Sequence, residues 1–329
     1  MTSGAVLLTG AGGFVGGHVL QGLRALPAAP RLRLLQHRRP LAVDDGGHEQ
    51  VVTADLAEPA TLAGICKGIT VLIHAASYLG NSAERCVAVN AEGTEALVAV
   101  ARQAGVPRII YVSNAAVYGY ATHRRASEAD VVLAPATAIS RSRVRAELAV
   151  LAAGGIVLRP LFVYGRGDTR FLPAIIRALT RLPFMIGGGR AQLSVVAAEE
   201  LANVVVCLAT NDSPVAPGAY HVTDGHPVSF RAIADALAEN LGLRAPGWSV
   251  PNAVGRVLVR AVRGGLLGGP RWAESDDHRL FLVTHDHHYD DAKLRQQLPR
   301  AVGPALPDRL PRYTDWYAQF ARRGKGSGK

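Results

Sequence analysis

Three glycines near the amino terminus constrain the fold of this chain more than any other feature of the sequence. Gly10, Gly13 and Gly16 follow an apolar run at residues 5–9, and a helical pattern begins inside the motif. A strand, a tight glycine turn and a helix in this order bring backbone amides at the positive helix end close to a phosphate group. We therefore predict a phosphate-binding turn, whose contacts with a dinucleotide are expected from Gly10, Gly12, Gly13, Phe14, Val15 and Gly16.

Short apolar runs alternate with helical stretches throughout the first half of the chain. This alternation is typical of an α/β fold with a doubly wound parallel sheet, the Rossmann arrangement. Right-handed crossovers bring the ends of the first and fourth strands side by side, at the point where ligands bind in such folds. The predicted strands are residues 5–9, 31–36, 50–54, 70–75, 108–113 and 155–158, with a further one at 219–222.

The second half of the chain is less regular and richer in proline, which predicts a smaller, mostly helical subdomain that binds the substrate. Within it, residues 229–241 have the pattern of an amphipathic helix with Ser229 as its N-cap. We expect residues 1–164 and about 190–225 to form the NADP-binding domain, and about 165–189 and 226–322 to form the substrate-binding subdomain. The low-complexity residues 323–329 are expected to be disordered.

The tip of the second predicted strand indicates which dinucleotide is preferred. Sites that prefer NAD place an acidic residue there to hold the ribose hydroxyls. Here the tip carries His37, Arg38 and Arg39 after Gln36, with no carboxylate. Guanidinium groups form charge-assisted hydrogen bonds with a 2′-phosphate, so we predict NADP(H) as the cofactor. The alternative is a solvated basic turn in an arginine-rich chain.

The basic composition does not by itself indicate a nucleic-acid partner. The 329 residues include 36 lysines and arginines against 26 acidic residues, a formal net charge of +10. The arginines are scattered, and only residues 322–329 form a short basic run. We expect no nucleic acid to bind, and we expect the positive charge to favour anionic small molecules, a phosphorylated cofactor included.

Neither export nor membrane insertion is indicated. The first residues lack a basic segment, and the apolar run that follows is too short for a signal peptide. Residues 250–269 are apolar, but Arg256, Arg260 and Arg263 interrupt them at nearly helical spacing, which predicts an amphipathic helix instead of a membrane span. A cytoplasmic protein with no membrane partner is therefore expected.

The cysteines and histidines do not form a recognisable metal motif. Cys66, Cys86 and Cys207 are odd in number and lack C-x-x-C spacing, so neither a disulfide framework nor a zinc site is predicted. The cluster His285, His287 and His288 has no accompanying carboxylate motif and is interpreted as surface histidines. No metal is expected.

Several motifs, in order and with regular spacing, resemble those of the extended short-chain dehydrogenase/reductases. They are the glycine turn, Asp55-Leu56, His74 to Ser77, the segment around Asn90, Tyr111 to Gly119 and Leu158 to Gly165. The resemblance implies that Asp55 and Leu56 meet the adenine and that Asn90 fixes the central helix. It also implies cofactor contacts from Ala75, Ala76, Ser77, Ser113, Arg143, Pro160, Leu161, Phe162 and Val163.

The catalytic residues of that family are altered in this chain. The family uses a serine or threonine, a tyrosine and a lysine four residues after the tyrosine. Counting back four residues from Tyr118 places Asn114 at the serine position, and the frame of the following helix places Ile139 and Arg143 at the other two. Asn114 and Arg143 can still donate hydrogen bonds and are our catalytic candidates, but neither is an acid near neutral pH.

Three explanations for the missing acid remain open. The first is a substrate phenol beside the reacting carbonyl, the second is a substitute donor, and the third is an NADP(H)-binding sensor or scaffold without turnover. The substitute donors that flank the expected pocket are Ser140, Tyr78, Tyr118 and Tyr120. We favour the first, because loss of the tyrosine suggests that a protein acid became unnecessary. A nucleotide-sugar epimerase or dehydratase is a further alternative, but it requires repeated proton transfers.

The altered catalytic residues also resemble those of atypical ketoreductases that act on aromatic polyketides of the angucyclinone type. That resemblance implies an NADPH-dependent ketoreductase with a flat aromatic substrate. The expected substrate-binding residues are Tyr78, Asn114, Phe162, Tyr164 and Phe171, with a possible contribution from residues 183–187. Tyr289 and Lys293 match the family's Tyr-x-x-x-Lys spacing but follow no suitable strand, so we interpret them as structural. The oligomeric state stays open.

Overall fold

A computed structural model describes residues 4–44, 46–211, 215–263, 274–299 and 303–325, without the side chains of residues 260–263, 274–275 and 323–325. Its strands are β1 Ala5–Thr9, β2 Arg31–Gln36, β3 Glu49–Thr53, β4 Ile69–His74, β5 Arg108–Val112, β6 His123–Ala126, β7 Ile156–Arg159, β8 Phe162–Tyr164, β9 Met185–Ile186, β10 Gln192–Leu193, β11 Val195–Ala197, β12 Gly218–His221, β13 Val228–Ser229, β14 Ser249–Val250 and β15 His287–Tyr289.

The helices surround these strands. They are α1 Phe14–Arg24, α2 Ala83–Arg85, α3 Gly93–Gln103, α4 Ala138–Ala152, α5 Phe171–Arg181, α6 Ala198–Thr210, α7 Phe230–Leu241, α8 Asn252–Arg263, α9 Glu274–Thr284, α10 Ala292–Gln297, α11 Leu306–Arg309 and α12 Thr314–Lys325. A π-helical segment, Cys86–Glu92, joins α2 to α3, and four 3-10 segments are Pro59–Leu62, Ala115–Tyr118, Gly187–Gly189 and Leu310–Tyr313.

A seven-stranded parallel sheet forms the centre of the molecule, in the order β12-β7-β5-β4-β1-β2-β3. Strand β1 lies between β4 and β2, and Thr9 is paired with His74 at the carboxyl ends of their strands. Successive residues of β1 contribute to opposite faces, since Val6 and Leu8 belong to one core cluster and Leu7 to the other. The predicted doubly wound fold is confirmed, and the predicted strands agree with the observed ones to within about one residue.

A second core lies beside this sheet, under the carboxyl half of the chain. It buries residues of α5, α7 and α12 together with those of β10 and β11. A four-stranded sheet in the order β13-β10-β15-β6 accompanies these helices. Helix α12 continues to Lys325, past the predicted start of the tail at 323, and residues 326–329 lie outside the described residues.

Local sequence explains where two of the helices begin. The Thr137 and Ser140 side chains form a reciprocal capping box at the start of α4. The predicted N-cap Ser229 accepts a hydrogen bond from the Ala232 amide at 3.1 Å, as expected for α7. Helix α8 begins at Asn252, within the segment predicted to be amphipathic. In the part of the chain that the structure describes, no helix is long and apolar enough to cross a bilayer.

Candidate active site

The glycine turn between β1 and α1 adopts a shape that only glycine tolerates at two of its positions. Gly10 has φ of 78°, and a Cβ there would lie 2.6 Å from the Ala76 nitrogen at the end of β4. A Cβ on Gly16 would lie 2.1 Å from the Gly10 oxygen. The turn is closed by a hydrogen bond of 2.8 Å from the Gly13 amide to that oxygen. The backbone of α1 thus packs directly against the turn.

The start of α1 is suited to a phosphate group. Gly13 is its N-cap and supplies no capping side chain, and the first turn carries no acidic residue. Gly12 and Gly13 are exposed, while Phe14 and Val15 are half-buried. The first amides of a helix that lacks a capping side chain are free to bind an anion at the positive end of the helix. The predicted pyrophosphate contacts therefore lie together in a suitable environment.

The far end of the predicted nucleotide site contains a contact between His37 and Asp55 that the sequence analysis did not foresee. The His37 Nε2 lies 2.8 Å from Asp55 Oδ2. Burial raises the pKa of the Asp55 carboxyl, but the Ala57 amide and His37 outweigh it, and the net effect lowers that pKa. Arg38 and Arg39 are exposed beside this pair, and Leu56 is buried with its carbonyl against Gly93. The two guanidinium groups remain suited to a phosphate.

A buried histidine fixes the end of β4 beside the glycine turn. His74 Nδ1 lies 2.6 Å from Thr9 Oγ1 and its Nε2 lies 2.9 Å from Thr94 Oγ1. The Thr94 hydroxyl donates to the Asn90 carbonyl, so it accepts from the Nε2–H of His74. Burial, reinforced by the nearby charge of Arg143, lowers the pKa of His74 to about 3. These contacts hold the loop of Ala75 and Ala76 close to the turn.

Asn90 joins three parts of the site from within the π-helical segment. Its Oδ1 accepts from the Tyr78 amide at 2.7 Å and from Ser77 Oγ at 3.2 Å. Its Nδ2 donates to the Tyr78 carbonyl at 3.0 Å and to Ser142 Oγ on α4 at 3.2 Å. Insertions of this helix type are frequent at functional sites. Asn90 thus connects the loop after β4 to α4, and its role in fixing the central helix stays a prediction.

Arg143 is a buried cation that lacks a carboxylate partner among the described residues. Only 8% of the residue is exposed. One terminal nitrogen donates to Ser77 Oγ at 3.1 Å, the other makes a long contact of 3.4 Å with the Val112 carbonyl, and Nε has no partner. Buried donors are normally satisfied, so an unpaired guanidinium nitrogen suggests that a polar ligand completes this environment. Hydroxyl groups of a ribose fit such a set of donors.

The other two altered catalytic positions are Ile139, which is close to Arg143 in the chain, and Asn114, which is two residues after the Val112 carbonyl that Arg143 contacts. Ile139 is four residues before Arg143 on α4 and is half-buried, so both side chains lie on the same face of the helix. Asn114 caps the Ala115–Tyr118 segment by accepting from the Ala116 amide at 2.8 Å, and its Nδ2 donates to the Leu161 carbonyl at 2.8 Å. One N–H of Asn114 remains for a substrate oxygen.

The four substitute acids are engaged elsewhere or lie apart. Ser140 Oγ bonds to the Thr137 backbone, in the capping box. The Tyr78 hydroxyl is turned onto its own loop, where it accepts a weak contact from the Ser82 amide. Tyr120 is 44% exposed and packs edge-on against rings of α9. The last of the four, Tyr118, belongs to a buried network.

That network connects five side chains beneath the site and was missed by the sequence analysis. The Ser113 hydroxyl donates to Glu147, and Arg159 binds Glu147 through two nitrogens, the shortest contact being 2.6 Å. Arg159 also donates to the Tyr118 hydroxyl at 2.9 Å, and that hydroxyl lies 2.7 Å from His221 Nε2. Burial raises the pKa of Tyr118 to about 12. The network orients side chains, and its arginine cannot pass a proton onward.

The predicted substrate residues fall into two groups. Phe162 and Phe171 are half-buried and stack with ring centroids 4.3 Å apart, offering a flat apolar surface. The prediction for Tyr164 is wrong, because this residue is fully buried and its hydroxyl donates to Asp224 at 2.7 Å. Residues 160–163 form the segment expected beside the nicotinamide. The Pro160 carbonyl accepts a hydrogen bond from the Ala115 amide, Leu161 is buried, and Val163 of β8 pairs with Val196 of β11.

The apparent Tyr-x-x-x-Lys pair and the histidine cluster lie outside the site. Tyr289 is buried against His123, and Lys293 donates to the Ala219 carbonyl at 2.8 Å while covering the Tyr220 ring. The interpretation of His287 as a surface residue is wrong, since it is fully buried in β15 and its Nε2 has no partner. In the described part of the chain, no three side chains form a group that could hold a metal.

The buried histidines predict a loss of stability in mild acid. Burial lowers the pKa of His74 to about 3 and those of His221 and His287 to about 4, against 6.5 when exposed. The unfolded chain therefore binds more protons below pH 6.5, and each histidine lowers the free energy of unfolding by ~1.4 kcal/mol per pH unit down to its folded pKa. Urea unfolding between pH 7 and 4.5 measures the slope.

A matched pair of variants isolates one histidine in this experiment. His287→Leu should reduce the slope by about one proton, because it removes a buried titrating group. His226→Asn, at an exposed position, should leave the slope unchanged. Equal slopes for the wild-type protein and His287→Leu would contradict the assignment of a buried neutral His287.

Comparisons with known proteins agree with this geometry. A model described as the 3-beta hydroxysteroid dehydrogenase/isomerase family matches residues 7–252. The 4-hydroxy-2-methyl-3-oxo-4-farnesyl-3,4-dihydroquinoline-1-oxide ketoreductase of Stigmatella aurantiaca is 30% identical over 313 residues, 88% of this chain and 90% of that protein. The 3 beta-hydroxysteroid dehydrogenase/Delta 5-->4-isomerase of Mycobacterium tuberculosis is 26% identical over 356 residues, 98% of this chain and 94% of that protein.

Solved structures show the same fold at lower sequence identity. The dTDP-glucose 4,6-dehydratase DesIV of Streptomyces venezuelae, solved with NAD and TYD bound, has a TM-score of 0.71 at 21% identity and covers 96% of this chain and 97% of its own. The Bordetella bronchiseptica enzyme WbmH, solved with NAD+, has a TM-score of 0.71 at 17% identity and covers 97% and 99%.

The fold and the glycine turn together define a doubly wound dehydrogenase, and the class of the protein is an oxidoreductase that depends on a nicotinamide dinucleotide. The chain belongs to the 3-beta hydroxysteroid dehydrogenase/isomerase family, within the extended short-chain dehydrogenase/reductases. The predicted family is thereby confirmed.

Proposed function

We propose that this protein is an NADPH-dependent ketoreductase that reduces a carbonyl of an aromatic polyketide in which a phenol lies next to that carbonyl. The observation that carries the proposal is the arrangement around Arg143: donors for a cofactor and for an oxygen are present, whereas Ile139 occupies the position of the acid. The four substitute acids that we considered do not fill this role, because Ser140 and Tyr118 are bonded elsewhere and Tyr78 and Tyr120 face other surroundings.

The chain's own residues provide a binding environment for the dinucleotide. The uncapped start of α1 suits the pyrophosphate, and Arg143 suits the hydroxyls of the ribose nearest the reacting ring. Arg38 and Arg39 are exposed after β2 and favour a 2′-phosphate, which supports NADP(H) over NAD(H). When bound, the nicotinamide supplies the hydride, and the residues described here hold and orient both reactants.

Two features of the site suit a flat, oxygenated substrate. The stacked rings of Phe162 and Phe171 provide an apolar surface for an aromatic ring system. The remaining N–H of Asn114 can donate to the carbonyl oxygen, and the positive charge of Arg143 stabilises negative charge that develops there. Both groups polarise the carbonyl, but neither gives up a proton near neutral pH.

The proton then comes from the substrate. As hydride adds to the carbonyl carbon, the neighbouring phenol transfers its O–H proton to the carbonyl oxygen, which becomes the alcohol. The phenolate left behind is stabilised by resonance and takes up a proton from water. A related ketoreductase is named for a fused-ring substrate that carries a 3-oxo group beside a 4-hydroxy group. That hydroxyl shares its carbon with a farnesyl group and is an alcohol, not a phenol, so the likeness supports an oxygenated fused-ring ketone as the substrate class and not the source of the proton.

The test of this proposal is turnover with a hydroxy-substituted polycyclic ketone. NADPH absorbance should fall when the wild-type protein receives such a ketone, and the alcohol should appear in equal amount. Gly16→Ala serves as the control, because its Cβ would lie 2.1 Å from the Gly10 oxygen and distort the phosphate-binding turn. Tight binding of NADPH without turnover of any hydroxylated ketone in a panel would contradict the proposal and favour a sensor or scaffold.

A further inference from the structure

The loop that follows β8 lies between two helices that are far apart in the sequence. This loop, residues 165–168, contacts the phosphate-binding helix α1 on one side. The His18 Nε2 donates to the Arg166 carbonyl at 2.8 Å, and a Cβ on Gly167 would lie 3.0 Å from the Phe14 ring. Gly167 has φ of 99°, so the loop approaches α1 in a conformation that favours glycine.

Three consecutive residues of the last helix, α12, bind the other side of the same loop. Asp315 accepts from the Arg166 guanidinium at 2.5 Å, and the Trp316 indole donates to the Asp168 carbonyl at 2.9 Å. The Tyr317 hydroxyl accepts from the Gly165 amide at 2.8 Å and lies 3.1 Å from the Gly165 carbonyl. We call Asp315, Trp316 and Tyr317 the clasp.

Buried groups anchor the contact between the clasp and the loop. Tyr317 is 1% exposed and Asp168 is 2% exposed. The Asp168 carboxylate accepts from the amides of Arg170, Phe171 and Leu172, so it also holds the start of α5, where Phe171 stacks on Phe162. The loop therefore touches the start of the phosphate-binding helix and the aromatic surface proposed for the substrate. The exposed Arg166–Asp315 pair contributes little by comparison.

We propose that the clasp of α12 holds the 165–168 loop against α1. Within it, Tyr317 is a positioning residue for cofactor affinity. The inference rests on the cofactor site of the proposed function. If the loop orders the start of α1, docking of α12 and binding of the dinucleotide stabilise each other, because coupling between two equilibria is reciprocal.

The test compares two tyrosines of the same segment by calorimetric titration with NADPH. Tyr317→Phe removes the acceptor of the Gly165 amide and keeps the ring, and we expect the dissociation constant to rise about 5- to 50-fold. Tyr313→Phe is the matched control, since Tyr313 is also buried but its hydroxyl binds Glu199 and not the loop. The control should bind NADPH within about twofold of wild type.

A second readout is independent of both activity and affinity. NADPH should slow amide hydrogen exchange in residues 314–322 of the wild-type protein, and the effect should shrink in Tyr317→Phe. His18→Ala, which removes the hydrogen bond between α1 and the loop and leaves the α12 contacts intact, should reduce the slowing as well. This variant carries the test if Tyr317→Phe does not fold.

The outcomes separate the clasp from the ketoreductase proposal. If Tyr317→Phe binds NADPH as tightly as wild type, and NADPH does not change amide exchange in residues 314–322, the clasp proposal is wrong. The ketoreductase proposal is not affected by that result. Normal coupling without turnover of any ketone supports the clasp and contradicts the reductase. Failure of the wild-type protein to bind NADPH contradicts both.

Discussion

Arg159→Met is expected to lower the free energy of unfolding by about 3–5 kcal/mol, because it leaves the Glu147 carboxylate buried without its cation. Glu147 is fully buried, and Arg159 is nearly so. The substitution also removes the donor to the Tyr118 hydroxyl. Chemical unfolding followed by circular dichroism measures the change.

An exposed ion pair of the same chemistry provides the control for that experiment. Arg145 binds Glu95 through two nitrogens on the surface, with side chains 47% and 38% exposed. Arg145→Met should cost less than about 1 kcal/mol. The double variant Glu147→Leu with Arg159→Met should be more stable than Arg159→Met alone, since no uncompensated charge remains. If Arg159→Met and Arg145→Met lower the free energy of unfolding by similarly small amounts, the buried pair of Glu147 and Arg159 does not stabilise the protein as we expect.

The second large effect is a gain of activity from one substitution at the altered catalytic position. Ile139→Tyr places a phenol on the face of α4 that carries Arg143, four residues further on. The nearby guanidinium should lower the pKa of that phenol, as a cation does for any acid. With a ketone that lacks its own phenol, the rate of hydride transfer should then rise by about 10²- to 10⁴-fold, the usual worth of a general acid.

Ile139→Phe is the control, because it adds the same ring without the hydroxyl. It should leave the rate with that ketone unchanged. With the hydroxylated ketone, Ile139→Tyr should gain little, since the substrate already supplies a proton. A gain of equal size with both ketones would show that the wild-type protein lacks an acid for either substrate, and would contradict the substrate-derived proton.

The sheet and the frame of the site could be predicted because each depends on short segments of sequence. Apolar runs separated by helical stretches specify β1 to β5, β7 and β12, and the glycine spacing specifies the turn before α1. The spacing around Tyr118 and Ala146 likewise located Asn114 and Arg143, and Arg143 contacts the Val112 carbonyl two residues before Asn114.

The interactions that the sequence could not reveal join residues far apart in the chain. Glu147 and Arg159 meet Tyr118 and His221 only after β5, β7 and β12 align side by side. Strand β6 pairs with β15 across about 160 residues, and this pairing buries His287. Tyr164 lies within a segment that matches the family motif. Its strand β8 pairs with β11, however, and the Tyr164 hydroxyl donates to Asp224. Aromatic character alone does not distinguish a core residue from a substrate contact.

The altered catalytic residues acquire a more specific meaning from the structure. Arg143 has a buried charge with an unpaired nitrogen, Asn114 has one donor left, and the Ser113 hydroxyl donates a hydrogen bond to Glu147. These groups suit the binding and orientation of a cofactor and a carbonyl, as we propose, and none of them is an acid near neutral pH. We therefore propose that the acid is part of the substrate.

The most direct measurement of that claim is the single-turnover rate of NADPH oxidation by the wild-type protein with a hydroxylated polycyclic ketone and with its methyl ether. The two compounds differ only in whether the phenolic oxygen carries a proton or a methyl group, so the ether has no acid of its own to supply. We expect the ether to react about 10²- to 10⁴-fold more slowly at saturating concentrations of both ligands. Equal rates for the two ketones would contradict it.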